Sequence, residues 1–349
     1  MSRSIATGRI DIFDKDLNQF VSRGIYIEGV EERGGDDQNV ILPTGRTVVN
    51  VINSVEPIEN NSSRAVLSTH GNVAGVPIEQ HITLYRALKK IDIDNTISWQ
   101  PGRAINIEQI FPVIQTNFEV RNGIPFGTAA FSDVMPGAGP HGDDEVTPEI
   151  WKRWRQIQDW VFAGTNDWGF TVSADHNLIE VDNSAVKSDM LRGTRFSPAN
   201  TIRNGQPVLD ESPAAGVYRF KYSFTSGRGA WSAAKSWRAG MAFASPLIAV
   251  TSVNTISTKF LPSEKSFLSF QADDLVLTAL KKSDRDATLT LRVFEIQGSP
   301  AQTSILFLGR ESRFRVANLL EEEDDVSTGE EKTLHVKPFE IDTVKLPIP

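Results

Sequence analysis

The sequence predicts an all-β protein built from two successive sandwiches, and three observations carry that expectation. Apolar and polar residues alternate with a period of two over many short runs. Gly, Pro, Asn and Asp punctuate the runs, as tight turns require. Helical periodicity is confined to one segment, so the strands are joined without the intervening helices of a βαβ fold.

Strand-like runs occupy residues 48–55, 64–68, 78–84 and 90–99 in the first third of the chain. In the last of these Ile91, Ile93, Ile97 and Trp99 alternate with Asp92, Asp94 and Ser98. One side of such a strand faces a core and the other faces solvent. The pattern resumes at 169–173 and again at 217–224, where Tyr218, Phe220, Tyr222 and Phe224 alternate with Arg219, Lys221 and Ser223. Further runs lie at 247–253, 275–279, 289–296, 304–308 and 333–336.

The one predicted helix is short. Thr147 suits an N-cap, Pro148 stands where a first-turn amide has no partner to lose, and Glu149 complements the positive helix end. Ile150, Trp154, Ile157 and Val161 then fall at helical spacing, and Gly164 closes the run.

A chain of 349 residues is long enough for two cores. A polar stretch at 254–262 separates two groups of strands, which divides the chain into a large sandwich over 1–256 and a smaller one over 257–349. The acidic run 321–325, with Glu330 and Glu331, reads as a solvated loop.

Composition narrows the function classes. The net charge is −8, from 36 basic and 44 acidic side chains, which argues against a nucleic-acid partner. Cysteine is absent, so disulfides, thiolate catalysis and thiolate–zinc sites are excluded. No apolar run reaches the roughly 18 residues of a membrane span, and the first residues lack the apolar core of a secretory signal. A soluble protein, cytoplasmic by default, is the expectation.

The last hundred residues carry a resemblance. Phe267 and Phe270 precede the run from Leu275 to Leu280, the charged turn 281–286 and the strand 289–295. Asn318, Leu319 and Leu320 follow, and Pro338, Phe339, Glu340, Ile341 and Thr343 close the series. Upstream come Ile82 to Tyr85, Lys90 to Ile93, Phe111 and Pro112, Ile124 to Gly127, Gln158 to Trp160, and Leu191 with Arg192. In order and spacing, from about Ile12 to the end, this succession resembles the carboxy-terminal region of glycoside hydrolase family 38, the α-mannosidases. The resemblance implies a mutarotase-like super-β-sandwich followed by a small sandwich, both packed beside a catalytic barrel. It further implies a retaining, zinc-dependent hydrolysis of α-mannosides whose nucleophile and zinc ligands lie on that barrel.

A retaining glycosidase needs two carboxyl groups about 5 Å apart. The resemblance places that pair and the zinc ligands on the barrel, and no βαβ series here would build one, so no catalytic residue is assigned and no cofactor is expected in this chain. The expected partners are the family's barrel and α-mannoside glycans.

Family members lend an arginine to the pocket rim from the region of the Leu-Arg motif. That makes Arg192, with Arg195 close by, the candidate substrate contacts, although Phe196 and Ser197 replace the acidic stretch usual there. His141 and Asp143 form a His-x-Asp pair that could ligate a metal, but Val146 stands where the family's barrel motif has Trp. An acidic surface loop accounts for that segment as well.

Two other classes remain open. A stand-alone carbohydrate-binding module would use exposed Trp151, Trp168, Trp231 or Trp237 to stack on a sugar face. An aldose epimerase would need a convergent His acid and Glu base, and the scattered His70, His81, His176 and His335 suggest no such pair.

Overall fold

The computed structural model describes residues 2–4, 8–34, 41–132, 154–176, 178–193, 202–203, 206–207, 213–251, 264–323 and 329–348. The chain divides into two compact units, one of residues 1–123 with 129–247 and one of residues 124–128 with 248–349. The expected boundary at 256/257 falls outside the described residues.

In chain order the strands of the first unit are β1 (Ser2–Ser4), β2 (Arg9–Asp14), β3 (Gln19–Gly34), β4 (Ile41–Val49), β5 (Val51–Asn60), β6 (Arg64–Val73), β7 (Val76–Tyr85), β8 (Ile91–Trp99) and β9 (Ile105–Pro112). They continue as β10 (Glu119–Ile124), β11 (Gly127–Ala130), β12 (Trp154–Gln156), β13 (Trp160–Gly164), β14 (Trp168–Ala174), β15 (Leu178–Val181), β16 (Ala185–Arg192), β17 (Ile202–Arg203), β18 (Gln206–Pro207) and β19 (Gly216–Arg228). Among the described residues one sheet runs β1-β2-β3-β9-β16-β15-β12 with β4 also on β3, and a second runs β11-β10-β13-β14-β19-β8-β7-β6-β5. Every ladder is antiparallel, so each strand can present one apolar face.

The inner faces meet in one core. Phe111 of β9 packs edge-on to Tyr222 of β19 at 5.3 Å, and Phe224 stacks on Phe170 of β14 at 4.9 Å. Each such fully buried ring contributes on the order of 2 kcal/mol by transfer from water. A polar seam crosses this core: the amides of Gln80 and Asn95 both donate to Gln109 Oε1, at 3.2 and 3.0 Å, and Gln109 Nε2 donates to Tyr26 O at 2.8 Å. Buried amides are tolerable only when satisfied in this way.

The helix is not where the sequence placed it. Residues 154–156 and 160–164 are β12 and β13, joined by a turn in which Asp159 has φ 64°. Both the apolar run Trp160–Gly164 and its partner β14 are buried, and the ladder between them outweighs the local helical spacing. Gly164, expected as a helix stop, lies opposite Gly169, where a Cβ would come within 2.4 Å of the facing Cα. Residues 147–153 lie outside the described residues.

The helix observed among the described residues is α1 (Ser236–Ala244). It starts after Lys235, which has φ 52° and no side-chain cap, so no start signal marks it in the sequence. Its anchor is tertiary: Gly240 lets the helix approach Trp160 to a distance no Cβ would permit, and Thr171 Oγ1 donates to Ser236 Oγ at 2.7 Å. The strand expected at 247–253 is also absent over its described part, residues 247–251.

The second unit holds β20 (Leu268–Phe270), β21 (Leu275–Lys282), β22 (Thr288–Glu295), β23 (Ala301–Phe307), β24 (Arg310–Glu311), β25 (Arg315–Ala317), β26 (Thr333–Val336) and β27 (Ile341–Pro347). Two four-stranded sheets, β20-β23-β24 with β26 on β23 and β21-β22-β27-β25, enclose Leu291, Val293, Ile305, Phe314, Val344 and Leu346. Among the described residues the protein is therefore all-β with one short helix.

Turn chemistry explains two of the motifs. The Ile124–Gly127 turn does bend the chain, but the left-handed residue is Phe126, φ 57°, and not Gly127. Its ring is held edge-on against Phe294 at 5.7 Å, a packing contact that offsets the backbone strain. Phe339 is left-handed too, φ 56°. Its amide donates to Glu295 Oε2 at 3.0 Å, and Gln297 and Gly298 donate to the same carboxylate at 2.6 and 2.7 Å.

In the acidic run Glu322 is exposed, as are Glu330 and Glu331, and residues 324 and 325 lie outside the described residues, but Glu321 departs from the expected solvated loop. Glu321 is buried, pairs with Lys281 Nζ at 2.6 Å and accepts the Asp284 amide at 2.8 Å. Within the charged turn 281–286 Lys281 pairs with Asp284 at 2.6 Å, and Asp286 is bound to the buried Lys345 at 2.7 Å.

Candidate functional site

Cross-strand register assembles a charged face on the first sheet. Glu28 of β3, Glu108 of β9 and Asp189 of β16 are direct partners across three adjacent strands. Three side chains of the same register position share a face, so three carboxyl groups are set side by side. Asn106, two residues before Glu108, projects from the same face and donates from Nδ2 to Glu108 Oε1 and to Asp189 Oδ1, both at 2.7 Å.

A bulge between Asp189 and Leu191 turns both Met190 and Leu191 into the core and returns Arg192 to the charged face. There Arg192 Nε donates to Glu32 Oε1 at 2.9 Å and Nη2 to the same oxygen at 2.5 Å. Glu32 is only 4% exposed, so this is a largely desolvated pair.

Burial governs the protonation of this face. It pushes Glu108 well above the usual carboxylate range, helped by the neighbouring charges of Asp189 and Glu180. Asp189 is raised as well, again by burial, against the opposing pull of Asn106 and Arg192. The Tyr26 hydroxyl is raised by burial and by Glu28.

Of the candidate rim and metal-binding residues Arg192, Arg195, His141 and Asp143, Arg192 alone lies among the described residues. Its guanidinium is committed to Glu32, as a structural ion pair would be. Arg195, His141 and Asp143 lie outside the described residues. Among the described residues no group of three or more His, Asp or Glu side chains is arranged to hold a metal ion. The carboxylate face therefore does not fit zinc.

A second cluster escaped sequence reading. His176 Nε2 lies 2.7 Å from Ser188 Oγ and 3.0 Å from the Tyr222 hydroxyl, and Nδ1 lies 3.0 Å from Asp175 Oδ1. These are the distances of a hydroxyl nucleophile, a base and an orienting carboxylate. Ser188, however, is 1% exposed and shares the imidazole with Tyr222 from the opposite sheet. The cluster is a polar clasp between the sheets, out of reach of a substrate. Only the adjacency of Asp175 and His176 at a strand end hinted at it.

Among the described residues Trp168, Trp231 and Trp237 form no exposed stacking platform, and Trp168 is partly buried against the core of the first unit. Trp231 and Trp237 are buried, and Trp231 stacks on Trp160 at 5.9 Å. Trp151 lies outside the described residues.

Comparison with known proteins agrees with this architecture. Residues 274–344 match the model of the glycosyl hydrolases family 38 C-terminal beta sandwich domain. No curated protein matches the chain in sequence. A protein in glycosyl hydrolase family 38 from Enterococcus faecalis superposes with a TM-score of 0.73 at 14% identity, over 97% of this chain and 42% of its own. An alpha-mannosidase from Enterococcus faecalis V583 does so with the same TM-score and identity, over 97% of this chain and 40% of its own. At that identity the likeness shows the fold, and the chain spans less than half the length of either relative.

Proposed function

We propose that this chain is the carboxy-terminal, non-catalytic portion of a retaining, zinc-dependent α-mannosidase of family 38, and that it scaffolds that family's catalytic domain. The observation that supports this most is the coincidence of two matches. The family's C-terminal sandwich is found by sequence at 274–344, and the fold of 97% of the chain follows a family 38 protein more than twice as long. The described face offers carboxyl groups bridged by one amide, where a retaining glycosidase needs two carboxyls about 5 Å apart with room for a sugar between them. The α-mannosidase chemistry is thus assigned to the catalytic domain of the longer relatives, and α-mannoside glycans to its pocket.

The test is reconstitution. The chain alone should leave an aryl α-mannoside intact, with or without added zinc, and should bind and thermally stabilise a separately produced family 38 catalytic domain. Zinc-dependent hydrolysis by the chain alone would overturn the reading, as would failure to associate with any such domain.

A further inference from the structure

We propose that Glu108 and Asp189 hold one proton between them in the folded chain, and that this shared proton makes the β9–β16 ladder a pH-sensitive latch. The geometry leaves little alternative. The two residues are register partners on adjacent antiparallel strands, and each gives one oxygen to the same Asn106 amide. Their other oxygens, Glu108 Oε2 and Asp189 Oδ2, are buried and accept no hydrogen bond from any other group. Two buried acceptors side by side cannot both carry charge without a donor between them, and among the described residues the only donor left for them is the proton of one carboxyl group.

Surrounding charge favours keeping that proton. From β3 the pair faces Glu28 and Glu32, with the Tyr26 hydroxyl beside Glu28. From β15 it faces Glu180, and β16 itself contributes Lys187 and Arg192. Lys187 is engaged with Asp182 at 3.0 Å and Arg192 with Glu32. A second negative charge on the pair would therefore meet three carboxylates and two cations already paired elsewhere. Loss of the proton to solvent sets Glu108 and Asp189 in repulsion across the ladder, next to the bulge from which Arg192 projects.

The sign follows from linkage. Both carboxyl groups sit above their ordinary values in the fold, so the folded chain keeps a proton that the unfolded chain has released. Stability from this source is full below the ordinary glutamate value of 4.5 and declines as pH rises through and beyond it, until the folded pair ionises. The inference does not depend on the mannosidase reading, because it concerns only the chain's own folding.

The test is urea unfolding of the full chain at pH values from about 5 to about 9, with Glu108→Gln beside the wild type. The wild-type folding equilibrium should weaken by up to about tenfold per pH unit more than that of the variant, whose amide supplies the donor permanently. Identical slopes would overturn the proposal. Should Glu108→Gln fail to fold, Asp189→Asn supplies the donor from the other strand and makes the same comparison. Infrared spectroscopy of the wild type is independent of both variants: a protonated-carboxyl band near neutral pH is expected, and its absence overturns the shared proton.

Discussion

Arg192 and Glu32 meet from positions 160 residues apart, with Nη2 2.5 Å from Oε1 and Nε within 3.1 Å of both carboxylate oxygens. Removing the cation leaves a nearly inaccessible carboxylate unpaired, while the guanidinium itself is about one-third exposed. Arg192→Ala should therefore lower stability by about 2–3 kcal/mol, below the full cost of breaking a wholly buried pair. The double variant with Glu32→Ala should lose less than the sum of the single losses. Additive losses in urea unfolding would show that the pair is not coupled.

Glu295 is the anchor of the second unit. It is 0% exposed and accepts three backbone amides, including that of the left-handed Phe339. Glu295→Ala should cost about 2–3 kcal/mol, since three part-buried amides lose their acceptor. Differential scanning calorimetry should show the loss, and a variant melting within a degree or two of wild type would refute this role.

Gly193 sits where the chain passes over Trp99, and a Cβ there would lie 2.1 Å from the ring and 2.7 Å from Arg103 O. Neither the backbone oxygen nor the fully buried indole can move freely. Gly193→Ala should destabilise by about 1–3 kcal/mol. Quenching or a red shift of tryptophan fluorescence in the native state would report the displaced ring.

Asp286 is held down to about 2 by its hydrogen bond from Lys345 and by Thr288. A depressed carboxylate stabilises the fold above its unfolded value of 3.8 and ceases to do so as pH falls toward about 2. Asp286→Asn should unfold at lower urea than wild type at neutral pH, and the two should converge near the acid end. A difference that stays constant across the acid range would assign the effect to packing instead.

The sequence foretold the basis of these predictions unevenly. The charged turn around Asp286 was readable as a turn with local ion pairing, and Lys281 does pair with Asp284, but the partner that holds Asp286 is Lys345, 59 residues away on another strand. The Pro338–Glu340 motif was legible as a motif, but its purpose was not: Glu295 comes from another strand 44 residues away. Arg192 was found through a resemblance, whereas Glu108, Asp189 and Asn106 gave no signal, because they lie on β9 and β16, whose residues show no clean period of two. The helix was misplaced for the same kind of reason. Residues 154–164 have helical spacing, but β14 and β15 offered ladders that local periodicity does not register.

By itself the sequence determined the all-β class and the positions of strands such as β6, β7, β8, β19 and β22, but it marked none of β3, β9 and β16, the middle of the first sheet. Period-two alternation is a local property, written wherever one face of a strand must be apolar. It also determined the order of motifs that the second unit shares with family 38. The tertiary structure alone decided which polar side chains stand together. Asn106 and Asp189 are 83 residues apart in sequence, yet share one hydrogen-bonded cluster because β9 and β16 pair in a single register. Whether a buried carboxyl keeps its proton depends on that register and on exclusion from water, and neither exists until the sheet has formed.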